Sequence, residues 1–128
     1  MALTPGVSTD LAGLSVLVVE DEYFVANDSA RALREHGARI LGPVPDVQRA
    51  RELLAGESPD VVVLDVNLKG DMVYSLAEEL LQYGVPMIFA TGYDASILPP
   101  SLRGAPCLQK PIESHELVRA VKVHAARD

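Results

Sequence analysis

Short, wholly apolar runs alternate along the chain with longer segments whose apolar residues recur at helical spacing. The clearest run, residues 61–64, holds three valines and a leucine and leads directly into Asp65. A run this short, apolar on both faces, is typical of a parallel-sheet strand that is covered on both sides. Runs of the same kind predict five strands, over residues 15–19, 38–41, 60–64, 86–90 and 105–109.

The segments between these runs carry apolar residues three and four positions apart. This spacing predicts helices over residues 23–36, 47–55 and 72–83, and a last one from about residue 113. Asp46 is placed to cap the second helix, and Gly37 to end the first. The predicted buried face of the third helix consists of Val73, Leu76, Ala77, Leu80 and Leu81.

The connection between the fourth and fifth strands has the weakest pattern. Residues 94–98 have room for a turn or two of helix, but Pro99 and Pro100 follow. Proline ends a helix because it lacks the amide hydrogen that a helix interior needs. We therefore expect the fourth helix of the fold to be weak or disordered.

Strand–helix alternation with short connections indicates an α/β fold, with helices on both faces of a parallel sheet. Five strands suit the flavodoxin-like, doubly wound order 2-1-3-4-5. A length of 128 residues with 48% hydrophobic content supports one core, so a single domain is expected over residues 14–128. Residues 1–13, which are small and polar, are expected to form a flexible N-terminal tail.

Composition and charge exclude several classes of function. The net charge of −7 argues against a nucleic-acid surface, which needs a basic footprint. Cys107 is the only cysteine, so neither an intrachain disulfide nor a thiolate zinc site can form. No apolar run approaches the length of a transmembrane helix, and the first residues lack the pattern of a signal peptide. The expectation is a cytoplasmic protein with no membrane partner.

Acidic residues stand at the ends of two predicted strands that are neighbours in this order. Glu20 and Asp21 follow the first strand and Asp65 follows the third. Adjacent strands lie about 4.8 Å apart, so the three carboxylates should meet at one edge of the sheet. Oxygen ligands without thiolate or histidine favour a hard ion, and the sequence therefore predicts a Mg2+ site.

Thr91 and Lys110 complete this predicted cluster, because they end the fourth strand and follow the fifth. A carboxylate can form an aspartyl phosphate by attack on phosphorus. Phosphoryl transfer asks the protein chiefly to position groups and to neutralise the phosphoryl oxygens. Mg2+ and Lys110 would also favour the ionised form of Asp65. The cluster therefore predicts a phosphoacceptor at Asp65.

Four segments in this order resemble the receiver domain of two-component response regulators: Val18-Val19-Glu20-Asp21-Glu22, Val63-Leu64-Asp65, Ile88-Phe89-Ala90-Thr91 and Lys110-Pro111. The resemblance covers essentially the whole chain after the tail. It implies that Asp65 is the phosphoacceptor and that Glu20 and Asp21 bind Mg2+ together with it.

The resemblance also assigns roles to residues around that acid. It implies that the backbone carbonyl of Asn67 is a metal ligand and that Lys110 contacts a phosphoryl oxygen. Thr91 would be the switch hydroxyl that follows the phosphoryl group. The Lys110–Pro111 peptide bond would be cis, a state that only an X–Pro bond enters cheaply.

The segment Phe89-Ala90-Thr91-Gly92-Tyr93 is similar to the FAT GUY subgroup of single-domain response regulators, which is associated with alphaproteobacterial stress signalling. In most receivers an aromatic residue three positions before the lysine moves with the switch threonine, but here that position is Cys107. We hypothesise that residues 92–104 order and disorder instead, with Tyr93 as a possible moving aromatic. Cys107 itself is expected to be a small core residue.

Other functions suit the fold less well. A flavodoxin-type protein needs a phosphate-cradling loop after the first strand, where this chain has three acids. A haloacid-dehalogenase-type phosphatase carries a second acid two residues after its nucleophile, where this chain has Asn67. A pseudo-receiver that acts only as an interaction surface ranks third, because all the phosphorylation residues are present. We therefore expect a signalling module whose phosphoryl group persists, rather than an enzyme.

The expected partners are proteins. A sensor histidine kinase or a phosphotransfer protein would supply the phosphoryl group, and a downstream protein would read it. With no output domain after the last helix, a diffusible regulator, a phosphorelay intermediate and a phosphate sink all remain open. A monomer or a weak homodimer is expected.

Overall fold

The computed structural model describes residues 9–68, 73–92 and 98–125. Its strands are β1 (Ser15–Val19), β2 (Arg39–Val44), β3 (Val61–Asp65), β4 (Met87–Thr91) and β5 (Cys107–Gln109). Its α-helices are α1 (Tyr23–Glu35), α2 (Val47–Gly56), α3 (Val73–Gln82) and α4 (Ser114–His124), and a 3-10 helix spans Pro100–Leu102. Within these ranges, no helix has the length and apolarity needed to cross a membrane.

All five strands form one parallel sheet in the order β2-β1-β3-β4-β5. The predicted order 2-1-3-4-5 is therefore confirmed. Val19 pairs with Leu64, and Asp65 pairs with Ala90. Because the pairing is parallel and nearly level, the carboxyl ends of β1, β3 and β4 lie at one edge of the sheet.

The sheet separates two apolar clusters, which explains why its strands are apolar on both faces. Side chains alternate between faces along a strand. In β3, Val62 and Leu64 pack with the α2 and α3 side, whereas Val61 and Val63 pack with the α1 and α4 side. All five β3 residues are buried. The apolar run that predicted this strand thus contributes to both cores.

The predicted helices are present, with small differences at their ends. Asp46 caps α2 as predicted, since its Oδ1 accepts a hydrogen bond from the amide of Arg49 at 2.8 Å. The prediction for Leu81 is wrong, because this side chain is 50% exposed while Leu80 is 4% exposed. Consecutive helical residues are 100° apart, so only one of the two can face the sheet at the end of α3.

β2 extends further than predicted. Gly42-Pro43 was expected to close the strand at Leu41, because this dipeptide usually marks a turn. Instead the Gly42–Pro43 bond is cis, and the ladder resumes after a local irregularity with Val44 opposite Val19. The carbonyl of Val44 then accepts a hydrogen bond from the amide of Glu20 at 2.9 Å. This hydrogen bond fixes the backbone of Glu20, the residue that follows β1.

Residues 9–13 contradict the expectation of a flexible tail that reaches residue 13. Leu11 is fully buried in the cluster on the α1 and α4 side. Its amide donates to the carbonyl of His36 at 2.7 Å. Leu11 lies in a turn, outside the predicted strands and helices, so no periodicity marked it as buried. Residues 1–8 lie outside the described residues.

The connection from β4 to β5 contains the 3-10 helix and two buried leucines. Leu98 and Leu102 are each 1% exposed and belong to the cluster on the α2 and α3 side. Ser101 Oγ donates to Glu78 Oε1 on α3 at 3.0 Å. No α-helix occurs in the described part of this connection, residues 98–106. Residues 93–97, which include Tyr93, lie outside the described residues.

Candidate functional site

The ends of β1 and β3 bring three carboxylates together. Glu20 follows β1 directly, and Asp65 is the last residue of β3. One carboxylate oxygen from each of Glu20, Asp21 and Asp65 lies within 4.8 Å of the others. Glu20 and Asp65 are buried, and Asp21 is half-buried. The three acids predicted to meet at this edge of the sheet do so.

The carboxylate of Asp65 is held on both of its oxygens. The amide of Asn67 donates to Oδ1 at 2.9 Å, and Lys110 Nζ lies 3.4 Å from Oδ2. A hydrogen bond from the backbone two residues on is the Asx-turn geometry, which aspartate favours at turns. This role of the Asn67 amide was not predicted from the sequence, although an aspartate at a strand end is its usual signal. Asp65 is only 2% exposed.

Lys110 follows β5 and reaches back across the sheet edge, as predicted. Its Nζ is 2.8 Å from Glu20 Oε1, so its shorter contact is with Glu20 rather than Asp65. The amide of Lys110 donates to the carbonyl of Thr91 at 2.7 Å. The Lys110–Pro111 bond is cis, as the resemblance implied. The lysine is therefore fixed to the end of β4 as well as to the acids.

Thr91 ends β4 beside Asp65, because Asp65 pairs with the preceding Ala90. The threonine is fully buried. Gly92, the next residue, lies close to the Asn67 side chain, since a Cβ built there would be 3.8 Å from Asn67 Nδ2. The loops after β3 and β4 therefore approach each other at the site, a contact that no local pattern in the sequence indicates.

Burial and neighbouring charges act in opposite directions on the pKa values of Glu20 and Lys110. Burial raises the pKa of Glu20 to about 7, and its hydrogen bond with Asp65 acts in the same direction. The hydrogen bonds from Lys110 and from the Glu22 amide, at 3.2 Å, oppose that rise. Burial alone would lower the pKa of Lys110, but the hydrogen bond and charge of Glu20, with the charge of Asp65, raise it. One ammonium thus faces several acids.

The donor set suits a hard divalent cation. Three carboxylates with oxygens within 4.8 Å of one another supply only oxygen ligands, which Mg2+ prefers. One lysine does not neutralise three clustered acids, so a bound cation would relieve their mutual repulsion. Glu20, Asp21 and Asp65 therefore fit a Mg2+ site.

A recess of 450 Å³ opens beside the acids, between α1 and the chain that follows β5. Glu20, Asp65 and Lys110 line it together with apolar residues such as Val25 and Ile112. The recess lies on the α1 and α4 side of the sheet, and the Asp65 that it borders is only 2% exposed.

Two further residues were singled out in the sequence. Tyr93 is outside the described residues. Cys107 lies on β5 opposite Phe89, is half-buried and packs against the cluster on the α2 and α3 side. Cys107 was expected to be a small core residue, and it packs against the core without being fully buried.

Comparisons with known proteins agree on one family. The sequence profile described as "Response regulator receiver domain" matches residues 16–122. The transcriptional regulatory protein PdtaR of Mycobacterium tuberculosis is 31% identical over 116 residues, covering 88% of this chain and 57% of that protein. The sensory transduction protein LytT of Bacillus anthracis is 32% identical over 114 residues, covering 85% and 46%. The chain thus spans about half the length of these relatives.

A solved structure shares the fold. The response regulator receiver protein from Burkholderia phymatum superposes with a TM-score of 0.72 at 26% identity, covering 86% of this chain and 93% of that one.

Proposed function

Because the chain belongs to the response regulator receiver domain family, we propose that it accepts a phosphoryl group on Asp65 in a Mg2+-dependent reaction. A sensor histidine kinase or a phosphotransfer protein supplies that group. The observation that carries this proposal is the position of Asp65. Its carboxylate lies within 3.4 Å of Lys110 Nζ and beside two further acids.

Each neighbouring group has a task in the transfer. An oxygen of Asp65 forms the bond to phosphorus while the bond between phosphorus and the donor's imidazole nitrogen breaks, and the nitrogen keeps that electron pair. The Asn67 amide orients the carboxylate through Oδ1. Lys110 moves from Glu20 towards the incoming phosphoryl oxygens and offsets their negative charge. Mg2+, when bound, supplies further neutralisation of those oxygens.

The metal site and the switch also belong to this proposal. Glu20, Asp21 and Asp65 would hold the Mg2+, with the backbone carbonyl of Asn67 as a further ligand. The Thr91 hydroxyl turns towards the phosphoryl group after transfer. Support comes from the clustered carboxylates and from the place of Thr91 at the end of the neighbouring strand.

The product is proposed to persist rather than to turn over. Hydrolysis as in a phosphatase needs a second acid beside the nucleophile to move a proton. The position two residues after Asp65 is an asparagine, whose side chain cannot act as that acid. We therefore infer a signalling role and not an enzymatic one. A downstream protein reads the phosphorylated surface.

The finer assignment rests on the motif around Thr91. Membership of the FAT GUY subgroup, a role in general stress signalling and a switch through residues 92–104 with Tyr93 are proposals from the sequence. A phosphorelay intermediate or a phosphate sink would use the same chemistry at Asp65. Phosphotransfer profiling against the histidine kinases of the host distinguishes them, because a relay passes the group onward and a sink does not.

Beryllofluoride with Mg2+ tests the central proposal, since it mimics an aspartyl phosphate. In ¹H–¹⁵N spectra we expect saturable shifts centred on residues 65, 91 and 110. Asp65→Asn should abolish them, whereas the matched variant Asp10→Asn, at an acid outside the site, should retain them. Binding that survives in Asp65→Asn would contradict the proposal, and so would spectra that stay unchanged in the wild-type chain.

A further inference from the structure

The C-terminal end of α3 presents two exposed apolar side chains at the sheet edge opposite to the acids. Leu81 is 50% exposed and Tyr83 is 78% exposed. Gly84, with φ +75°, ends the helix there, and the amide of Val85 donates back to Leu80 at 2.9 Å. The chain turns directly into β4, so Tyr83 is left projecting into solvent.

Two recesses flank these side chains. The larger, of 570 Å³, lies between α2 and α3 and is lined mainly by Leu54, Leu76, Leu80, Tyr83 and Val85. The smaller, of 330 Å³, lies on the other side of α3 and includes Leu81, Val85, Leu102 and Pro106. Tyr83 lines the larger recess and Leu81 lines the smaller one. Because Val85 lines both, we call the whole the α3-end surface.

The charges around the larger recess are paired. Arg51 forms an ion pair with Glu79, and Arg39 forms one with Glu57 at 3.0 Å. This rim is therefore locally neutral, although the chain carries a net charge of −7. Two copies of so acidic a chain repel each other most where acids cluster, as at Glu20 and Asp21. The α3-end surface is a place where a second copy can approach without that repulsion.

We propose that the α3-end surface joins two copies of this chain in a two-fold symmetric dimer. In a two-fold interface the same surface serves both partners, so it must combine projections with recesses. Here Tyr83 of one copy enters the recess between α2 and α3 of the other. The same symmetry brings Arg51 of each copy near Glu79 of the other, so each charge keeps an opposite neighbour. A partner with strong net charge would gain nothing from this balanced rim.

This dimer is independent of the proposed phosphoacceptor function. Its interface lies at the amino ends of β3 and β4, whereas Asp65 lies at the carboxyl end. The recess beside Asp65 stays open in both copies. Exposed tyrosine is frequent among residues that dominate interface energetics, which makes Tyr83 the first residue to test.

Sedimentation velocity of the whole chain, from about 10 μM to about 1 mM, covers the range of weak dimers. We expect a concentration-dependent shift from monomer to dimer. Tyr83→Glu and Leu81→Glu should each weaken the association constant by at least about tenfold. Both side chains are exposed, so the variants should fold, and circular dichroism checks this.

Tyr23→Glu is the matched control, because Tyr23 is also exposed, at 71%, and the change adds the same charge near the opposite edge. It should leave dimerisation within about twofold of wild type. A chain that stays monomeric throughout overturns the proposal. Equal weakening by Tyr23→Glu and Tyr83→Glu also overturns it, because general repulsion would then explain the loss. The proposal is also overturned if neither Tyr83→Glu nor Leu81→Glu changes the association constant.

Discussion

Lys110 and Glu20 form a salt bridge of 2.8 Å between the first and the last strand of the chain. Glu20 is 6% exposed at its side chain and Lys110 is 19% exposed. The pair joins the ends of β1 and β5, which are separated in the sheet by β3 and β4. The charge balance of the site therefore depends on two residues that lie far apart in the sequence.

Replacement of Lys110 by methionine should destabilise the fold. Glu20 and Asp65 would remain buried without their cation, and an uncompensated buried polar or charged group costs about 1–3 kcal/mol or more. Urea denaturation at neutral pH measures this loss. The loss should shrink as the pH falls below about 7, the pKa of Glu20, because protonation removes the negative charge that Lys110 compensates.

Lys122→Met is the control for that measurement, since Lys122 is 54% exposed and lies 3.9 Å from Asp10. It should change stability by less than about 0.5 kcal/mol. Equal losses in the two variants would mean that the cation between Glu20 and Asp65 has no special role.

Mg2+ should stabilise the chain through the clustered acids. A ligand that binds only the folded state adds about 2.7 kcal/mol at about 100 times its Kd. Asp21→Asn should raise the Mg2+ concentration needed by at least about tenfold, a loss that even outer-shell substitutions at metal sites cause. Thermal unfolding across a Mg2+ titration measures it. If Asp21→Asn and Asp10→Asn respond identically to Mg2+, these acids do not form the site.

Leu11 should contribute to stability as a core residue. Leu11→Ala removes a fully buried side chain from the cluster on the α1 and α4 side, which should cost about 2–5 kcal/mol. Leu81→Ala makes the same chemical change at a half-exposed position and should cost less than about 1 kcal/mol. Chemical denaturation compares the two. A similar small effect for both would restore the original expectation of a flexible segment.

Asp46 should stabilise the start of α2 by its side chain. Its Oδ1 accepts from the Arg49 amide at 2.8 Å, and its Oδ2 pairs with the Arg49 guanidinium. Asp46→Ala should cost about 1 kcal/mol. Asp46→Ser keeps a capping oxygen without the charge and should recover most of that loss, as urea denaturation can measure. No recovery would assign the effect to the ion pair instead of the cap.

The sheet order and the meeting of the acids could be predicted because both depend on short-range signals. Buried parallel strands are apolar on both faces, as Val61 to Val63 are, and their carboxyl ends lie at one edge of the sheet. Glu20 and Asp65 could therefore be placed together once the strand order was assumed.

Contacts that depend on tertiary packing could not be predicted in the same way. Leu11 is buried in a cluster with Leu33 and Val121, which are distant in sequence. Lys110 was expected to reach Asp65, yet the structure places it closer to Glu20. A side chain with four rotatable carbons has several acids within reach, and the packing around the cluster decides between them. The pairing of Val44 with Val19 likewise depends on a strand irregularity that the local sequence does not encode.

The shortest strand leads directly into the site's lysine. β5 has three residues, stands at the edge of the sheet and is only partly buried. Sheet edges open at a lower free-energy cost than sheet centres, so fraying reaches Gln109 and Lys110 before it reaches β1 or β3. A chain that frays at this edge keeps its carboxylates together but loses their counterion. The charges of the site therefore balance only when the whole sheet is formed, because Lys110 stays beside the acids only while β5 remains paired with β4.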